Sequence, residues 1–523
     1  MTTLRFGLYP QSDFRQTDGR CDDCPTIRQA LWYFEHETIA VPKPGIPVAS
    51  FACGVRVADD LRGWLAARAP SSPPEYPPLV WVGAPDVVEG ARLSPDATSV
   101  ECAGGRLGLS LTPKLPLNRS YFDASSARYF HERTVKIRGS IHGNAIVART
   151  LWPEDFRLDA ALPTQPLDAT VPTTLALRAL MRSEPAGGAR SPFAAGVLWE
   201  RDAGRNDVAP GRAVLGIMVN GAQGDDDEAH AGHFALVTGT TDESGAIGDW
   251  LTNNFYSLDT ESEKGILAAP VPLDNYLADL NSGQGWYRPS HMIVAVLRDA
   301  RAPALVQAAL NRVYNQFWRH QLVYRHATMN CACISVDVLR LLGWEISRRA
   351  PAGRLLAALA FPWFAIKERS VAKASSAFDY LYEEQTRLMP AAAFEEIGAS
   401  LLALGSKPTG TSEPAGELAR MISEDLEAIL FVRLPQFPSS RVFGDAPAVS
   451  PGEYHSRLPP VPQVVPVPER PFPAALRDAD LLPAGRPPSA YAAAIWGTLL
   501  IVGIPMFLYR QWRRWRVRDR SAN

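Results

Sequence analysis

The chain has 523 residues, 46% of them hydrophobic and 21% charged, a globular composition with room for two or three cores. Its 53 Lys and Arg against 55 Asp and Glu leave a formal net charge of −2. That balance excludes the strongly basic face of a nucleic-acid binder, so no nucleic-acid partner is expected.

Residues 1–165 open the chain as a β-rich region whose role the sequence does not disclose. A helix is predicted over TIRQALWYFEHETIAV (26–41), and APSSPPEYPPL (69–79) reads as a loop. LVWVG (79–83), RLGLSLT (106–112), RTVKIRG (133–139) and NAIVARTLW (144–152) are strand-like. The stretch ALPTQPLDATVPTT (161–174) marks a boundary. Cys21 and Cys24 form a C-x-x-C without a second pair or a histidine at ligand spacing. Structural or disulfide cysteines are therefore favoured over a metal site, and no metal or other cofactor is expected.

Residues 170–345 mix both element types. TTLALRALMRS (173–183) and PALVQAALNRVYNQFW (303–318) read as helices. AVLGIMVN (213–220), HFALVTG (233–239), GDWLTNNFYSL (248–258) and SHMIVAVL (290–297) read as strands, so an α+β domain is expected. It closes with YRHATMNCACISVDVLRLLGW (324–344), where Ile334, Val338, Leu341 and Leu342 recur at helical spacing. Asn330 is a good N-cap, and Gly343 ends the pattern. Cys331 thus falls in a first helical turn, where unpaired N–H groups and the macrodipole favour a thiolate. The alternative is a core helix that happens to begin with cysteine.

A helical extension is expected over 346–432. Within it, the apolar run 355–366 is too short to span a bilayer and is flanked by basic residues. A core helix broken at Pro362 and an interfacial, membrane-touching segment both fit. A proline-rich stalk (433–489) leads to an uncharged segment, YAAAIWGTLLIVGIPMFLY, and a basic tail (510–523). Residues 490–509 have the ~20-residue length of a membrane span, so the bilayer is an expected partner and a bacterial inner membrane the expected location. The arginine-rich tail places the body outside by the positive-inside rule. The first twenty residues lack the apolar core of a signal peptide, so either an export signal lies upstream of this start or the chain is tail-anchored with a cytosolic body. Both orientations stay open.

A cysteine nucleophile needs a base and a third polar group to orient that base. In AHAGHFALVTG, His233 follows a glycine and opens an apolar strand, a rigid place for a base. His326, five residues before Cys331, is its local rival. Taken with His230 and His233, the run Asp225, Asp226, Asp227 and Glu228 suits a divalent cation, although a solvated acidic loop is the simpler account.

Over about 200–345, the histidine opening GHFALVTG and the later N-C helix start ending in L-L-G resemble the circularly permuted NlpC-type papain-like fold. LTNNFYSLD and DNYLADLN look closer still to the N-terminal periplasmic domain of the bacterial lipoprotein intramolecular transacylase. The resemblance implies Cys331 as nucleophile, His233 as base, and an orienting residue from the next strand: Asp249, Asn253 or, preferred, Asn254. Cys333 is then a packing residue. The expectation is a permuted papain-like domain following a β-rich one, with a helical extension and one C-terminal transmembrane helix. Such a protein would be a membrane-anchored thiol hydrolase or acyltransferase acting on a lipid-linked or cell-wall peptide substrate. The alternatives are an inactive membrane-tethered scaffold on the same fold, and a metal-dependent hydrolase centred on the acidic run.

Overall fold

A computed structural model describes residues 4–439 apart from 22–23, 25–33, 35–36, 70–72, 114–121, 183–191, 203, 205–207, 222–231, 257–267, 320, 352 and 407–415. The stalk beyond 439, the apolar segment 491–509, the basic tail and the acidic run 225–228 lie outside the described residues. Within them, no helix is long and apolar enough to cross a membrane.

The architecture is mixed α+β. The chain enters through the ribbon β1 (Arg5–Phe6) and β2 (Tyr9–Pro10). A three-stranded sheet follows, made of β3 (Phe14–Asp18), β4 (Thr38–Pro42) and β5 (Val80–Gly83), with α1 (Val57–Ala67) between the last two. The helix expected over 26–41 is corrected at its end, because Thr38, Ile39 and Val41 give β4 the β-branched content of a strand. Cys21 and Cys24 are joined in a disulfide. Next comes a closed five-stranded barrel of β6 (Asp86–Leu93), β7 (Ser99–Cys102), β8 (Gly105–Leu111), β9 (Val135–His142) and β10 (Ala145–Pro153), with α2 (Ala124–His131) preceding β9.

Helix α3 (Thr173–Arg182) leads to the strands of the main sheet, β11 (Ala194–Glu200), β12 (Ala213–Asn220), β13 (His233–Thr240), β14 (Leu251–Asn253) and β15 (Pro270–Pro272). Then come α4 (Leu273–Ala278), β16 (Ser290–Leu297), α5 (Arg301–Trp318), α6 (Cys331–Leu341), α7 (Arg354–Lys367), α8 (Val371–Tyr382), α9 (Gln385–Leu388), α10 (Pro390–Ser406), α11 (Glu417–Asp425) and β17 (Leu426–Leu434). The seven strands run in the order β11-β17-β16-β12-β13-β14-β15, antiparallel throughout. β12 and β16 are buried at every residue, in keeping with their predominantly apolar sequences. Helices α5 and α10 cover the face bearing Ile217 and Thr238: Gln307 of α5 accepts from Thr238 Oγ1 at 2.6 Å, and Gly398 of α10 backs onto Ile217 and Ile293.

Two expectations for the extension are corrected. Helical structure stops at Asp425, and LEAILFVRL forms β17 inside the sheet between β11 and β16. Helix α7 runs through Pro362 without breaking, and it is not a core helix: Leu355, Leu359 and Ile366 are 75%, 63% and 78% exposed.

Barrel and sheet share one apolar core, from Ile39 through Ile137 and Trp152 to Phe437. Their seam also carries buried charge. Lys136 and Arg138 of β9 reach Asp274 of α4 at 2.6 and 2.8 Å, and Arg149 of β10 reaches Asp279 at 2.6 Å and Glu37 at 2.5 Å. The polar residues of DNYLADLN therefore fasten α4 and the loop after it to the barrel.

Candidate active site

Cys331 begins α6 as the sequence indicates. Asn330 caps the helix: its side-chain oxygen accepts from the Cys333 N–H at 2.8 Å, while its amide nitrogen donates to the carbonyls of His326 and Leu388. The Cys331 N–H makes a long contact, 3.4 Å, to the Tyr324 hydroxyl. Gly343 ends the helix at φ 87°, a conformation glycine adopts without strain. Cys331 is not in a disulfide and is 4% exposed. Cys333 points elsewhere: its Sγ donates to the Arg387 carbonyl, and burial pushes its thiol up to about 12. That environment suits a packing residue.

Helix α6 lies against β13, whose first residue is His233. Gly232, just before it, has φ 81° and packs so closely on β12 that a Cβ would meet the Asn220 carbonyl oxygen at 2.5 Å. Across the sheet end, Asn220 pairs with both His233 and Ser290, placing the three in one row. The Asn220 amide donates to Ser290 Oγ at 2.7 Å, and its oxygen accepts from the Tyr276 hydroxyl at 2.5 Å.

Tyr276 neighbours His233. Its ring lies 6.4 Å from the His233 imidazole. Burial first, then Tyr256, with a further contribution from Cys331, holds its phenol neutral well above the ordinary range. Tyr256 stacks flat on His233, with ring centres 4.4 Å apart and planes 2° apart, and accepts a hydrogen bond from Gln284. His233 is 5% exposed. Burial, and then the Arg288 guanidinium, push its pKa down to about 3, so the imidazole is neutral at physiological pH. A neutral imidazole can accept a thiol proton, whereas a standing imidazolium–thiolate pair is disfavoured in this environment.

The third-residue candidates have other partners. Asp249 pairs with Lys136 and Arg138, and Asn253 exchanges hydrogen bonds with Gln307. The Asn254 side-chain oxygen accepts from the Ala269 N–H at 3.3 Å. No described residue makes a hydrogen bond to His233 Nε2, which is buried. His326 is half-buried, with its ring 5.2 Å from Tyr324. Among the described residues, no group of three or more His, Cys, Asp or Glu is arranged to hold a metal ion.

Sequence reasoning missed Tyr256, Tyr276, Arg288 and Asn220. The two tyrosines lie inside the FYSL and DNYL segments, but no local pattern says that a stacked phenol will hold the histidine. No protein-family model, curated protein or solved structure matches the chain, and the site is read from its geometry alone.

Proposed function

We propose that the protein is a membrane-anchored, cysteine-dependent acyl-transfer enzyme. The observation that carries this reading is that α6, whose capped start bears Cys331, packs against β13, whose first residue is the neutral His233. His233 takes the Cys331 thiol proton as the sulfur attacks an ester or amide carbonyl. The carbonyl carbon gains a bond to Sγ, and collapse of the tetrahedral adduct expels the alcohol or amine, which leaves with the proton from His233. Water or a second nucleophile then releases the acyl group, giving a hydrolase or an acyltransferase. A lipid-linked or cell-wall peptide substrate fits the apolar segment 491–509 that would tether the chain to a bilayer.

The orphaned Nε2 of His233 favours a second reading, an inactive scaffold on the same framework that lacks the group needed to orient a base. Iodoacetamide labelling of Cys331 in the full-length protein, followed on its own peptide across pH, separates the two. With His233 accepting the thiol proton as the sulfur attacks, His233→Ala slows labelling several-fold near neutral pH. Equal rates in both proteins would leave Cys331 a core residue and favour the scaffold.

A further inference from the structure

Helix α7 has an unusual distribution of side chains. RLLAALAFPWFAIK is apolar almost all round, yet only one stripe is covered: Ala357 and Phe361 pack on Phe378, Leu381 and Tyr382 of α8. The opposite side presents Leu355, Leu356, Leu359, Trp363 and Ile366, each more than half exposed. At helical periodicity these five fall within an arc of about 100°. Val371, opening α8, adds a sixth at 56%. Single exposed apolar residues are ordinary, but a contiguous stripe of this kind marks a surface that is covered in use.

Charge identifies the covering. Residues 348–373 carry six basic side chains against one acidic, and of the six Arg349 pairs with Glu395 and Glu396 and Lys373 with Glu368. Arg348, Lys367, Arg369 and Lys373 are exposed, and Lys367 sits over the Trp363 ring at 4.6 Å. Two copies of such a face would repel each other. A layer of anionic headgroups over hydrocarbon matches both parts of the pattern, and Trp363 suits the boundary between them. We infer that the α7–α8 hairpin is a membrane-docking element that lies in the interface of an anionic phospholipid bilayer, with its apolar stripe among the upper acyl chains and its cations at the headgroups. The inference rests on α7 itself and holds whether or not residues 491–509 span a bilayer.

The test uses the full-length protein with the photoreactive residue p-benzoylphenylalanine in place of Leu359, of Ile366 or, as the inward-facing control, of Phe361. Each variant is mixed with vesicles of phosphatidylglycerol and phosphatidylcholine, illuminated, and read by mass spectrometry. The expected result is a lipid adduct from positions 359 and 366, several-fold weaker from 361, and reduced when phosphatidylglycerol is omitted. Adducts to a second copy, or to the chain's own 491–509 segment, would overturn the inference, as would lipid yields at 359 and 366 no higher than at 361. Alkaline carbonate extraction of the same vesicles reports separately on whether 491–509 is inserted, so failure of the anchor and failure of the docking face are distinguishable.

Discussion

His291 offers a quantitative test of the burial that governs this fold. It lies on β16, 1% exposed, with neither ring nitrogen hydrogen-bonded to a described residue. Burial, and then Arg433, push its pKa from 6.5 down to about 3. Between those values the unfolded chain binds a proton that the folded protein refuses, so stability falls as pH drops. The contribution is complete above pH 6.5 and is lost progressively toward pH 3. Going from pH 7 to pH 5, the loss is about 2 kcal/mol, and below pH 3 it approaches about 5 kcal/mol. His291→Leu removes the titrating group while keeping an apolar side chain of similar size. Urea unfolding of the full-length protein in detergent micelles, followed by tryptophan fluorescence at pH 7 and pH 5, measures the difference. The wild type should lose about 2 kcal/mol more than the variant over that interval. An identical loss in both proteins would mean that His291 is not held neutral by burial, and the same argument for His233 would fall with it.

Three other substitutions probe the framework. Asp274→Ala leaves Lys136 and Arg138 in the barrel–sheet seam sharing Asp249 alone and should cost about 3 kcal/mol by urea unfolding; a loss under about 1 kcal/mol would mean the seam is solvated. Gly232→Ala drives a methyl group toward the Asn220 carbonyl at a positive φ. It should cost more than about 1 kcal/mol and also slow Cys331 labelling by moving His233, and unchanged labelling would count against their coupling. Asn330→Ala removes the α6 cap and its bonds to His326 and Leu388, for about 1–2 kcal/mol in the same unfolding assay.

What the sequence disclosed was local. The cap, first-turn cysteine and terminal glycine of α6 are short-range signals, and each takes its expected place. Strands β9, β10, β12, β13 and β16 were legible because their apolar runs are bounded by turn residues. LEAILFVRL was misread because a short, mostly apolar stretch after helical sequence lacks a period that separates strand from helix, and its partners Val197 and Val294 lie far upstream. At the candidate site, the two residues flagged by local pattern, Cys331 and His233, open elements that pack on each other, α6 and β13. The site's other members are gathered by tertiary packing. Arg288 sits after an irregular turn, and nothing in its neighbours distinguishes it from a surface cation.

The position of β17 also governs how the molecule must be made. The sheet is completed in its interior by almost the last described segment, and the pairing of Ala194 with Arg433 closes a loop of more than two hundred residues. While a chain is being synthesised, β11 and β16 must wait with their facing edges unpaired until Leu434 emerges, which exposes them to wrong partners. Such long-range closure slows folding, and a chain cut before β17 would leave β16 with an open edge and β11 without its partner in the sheet.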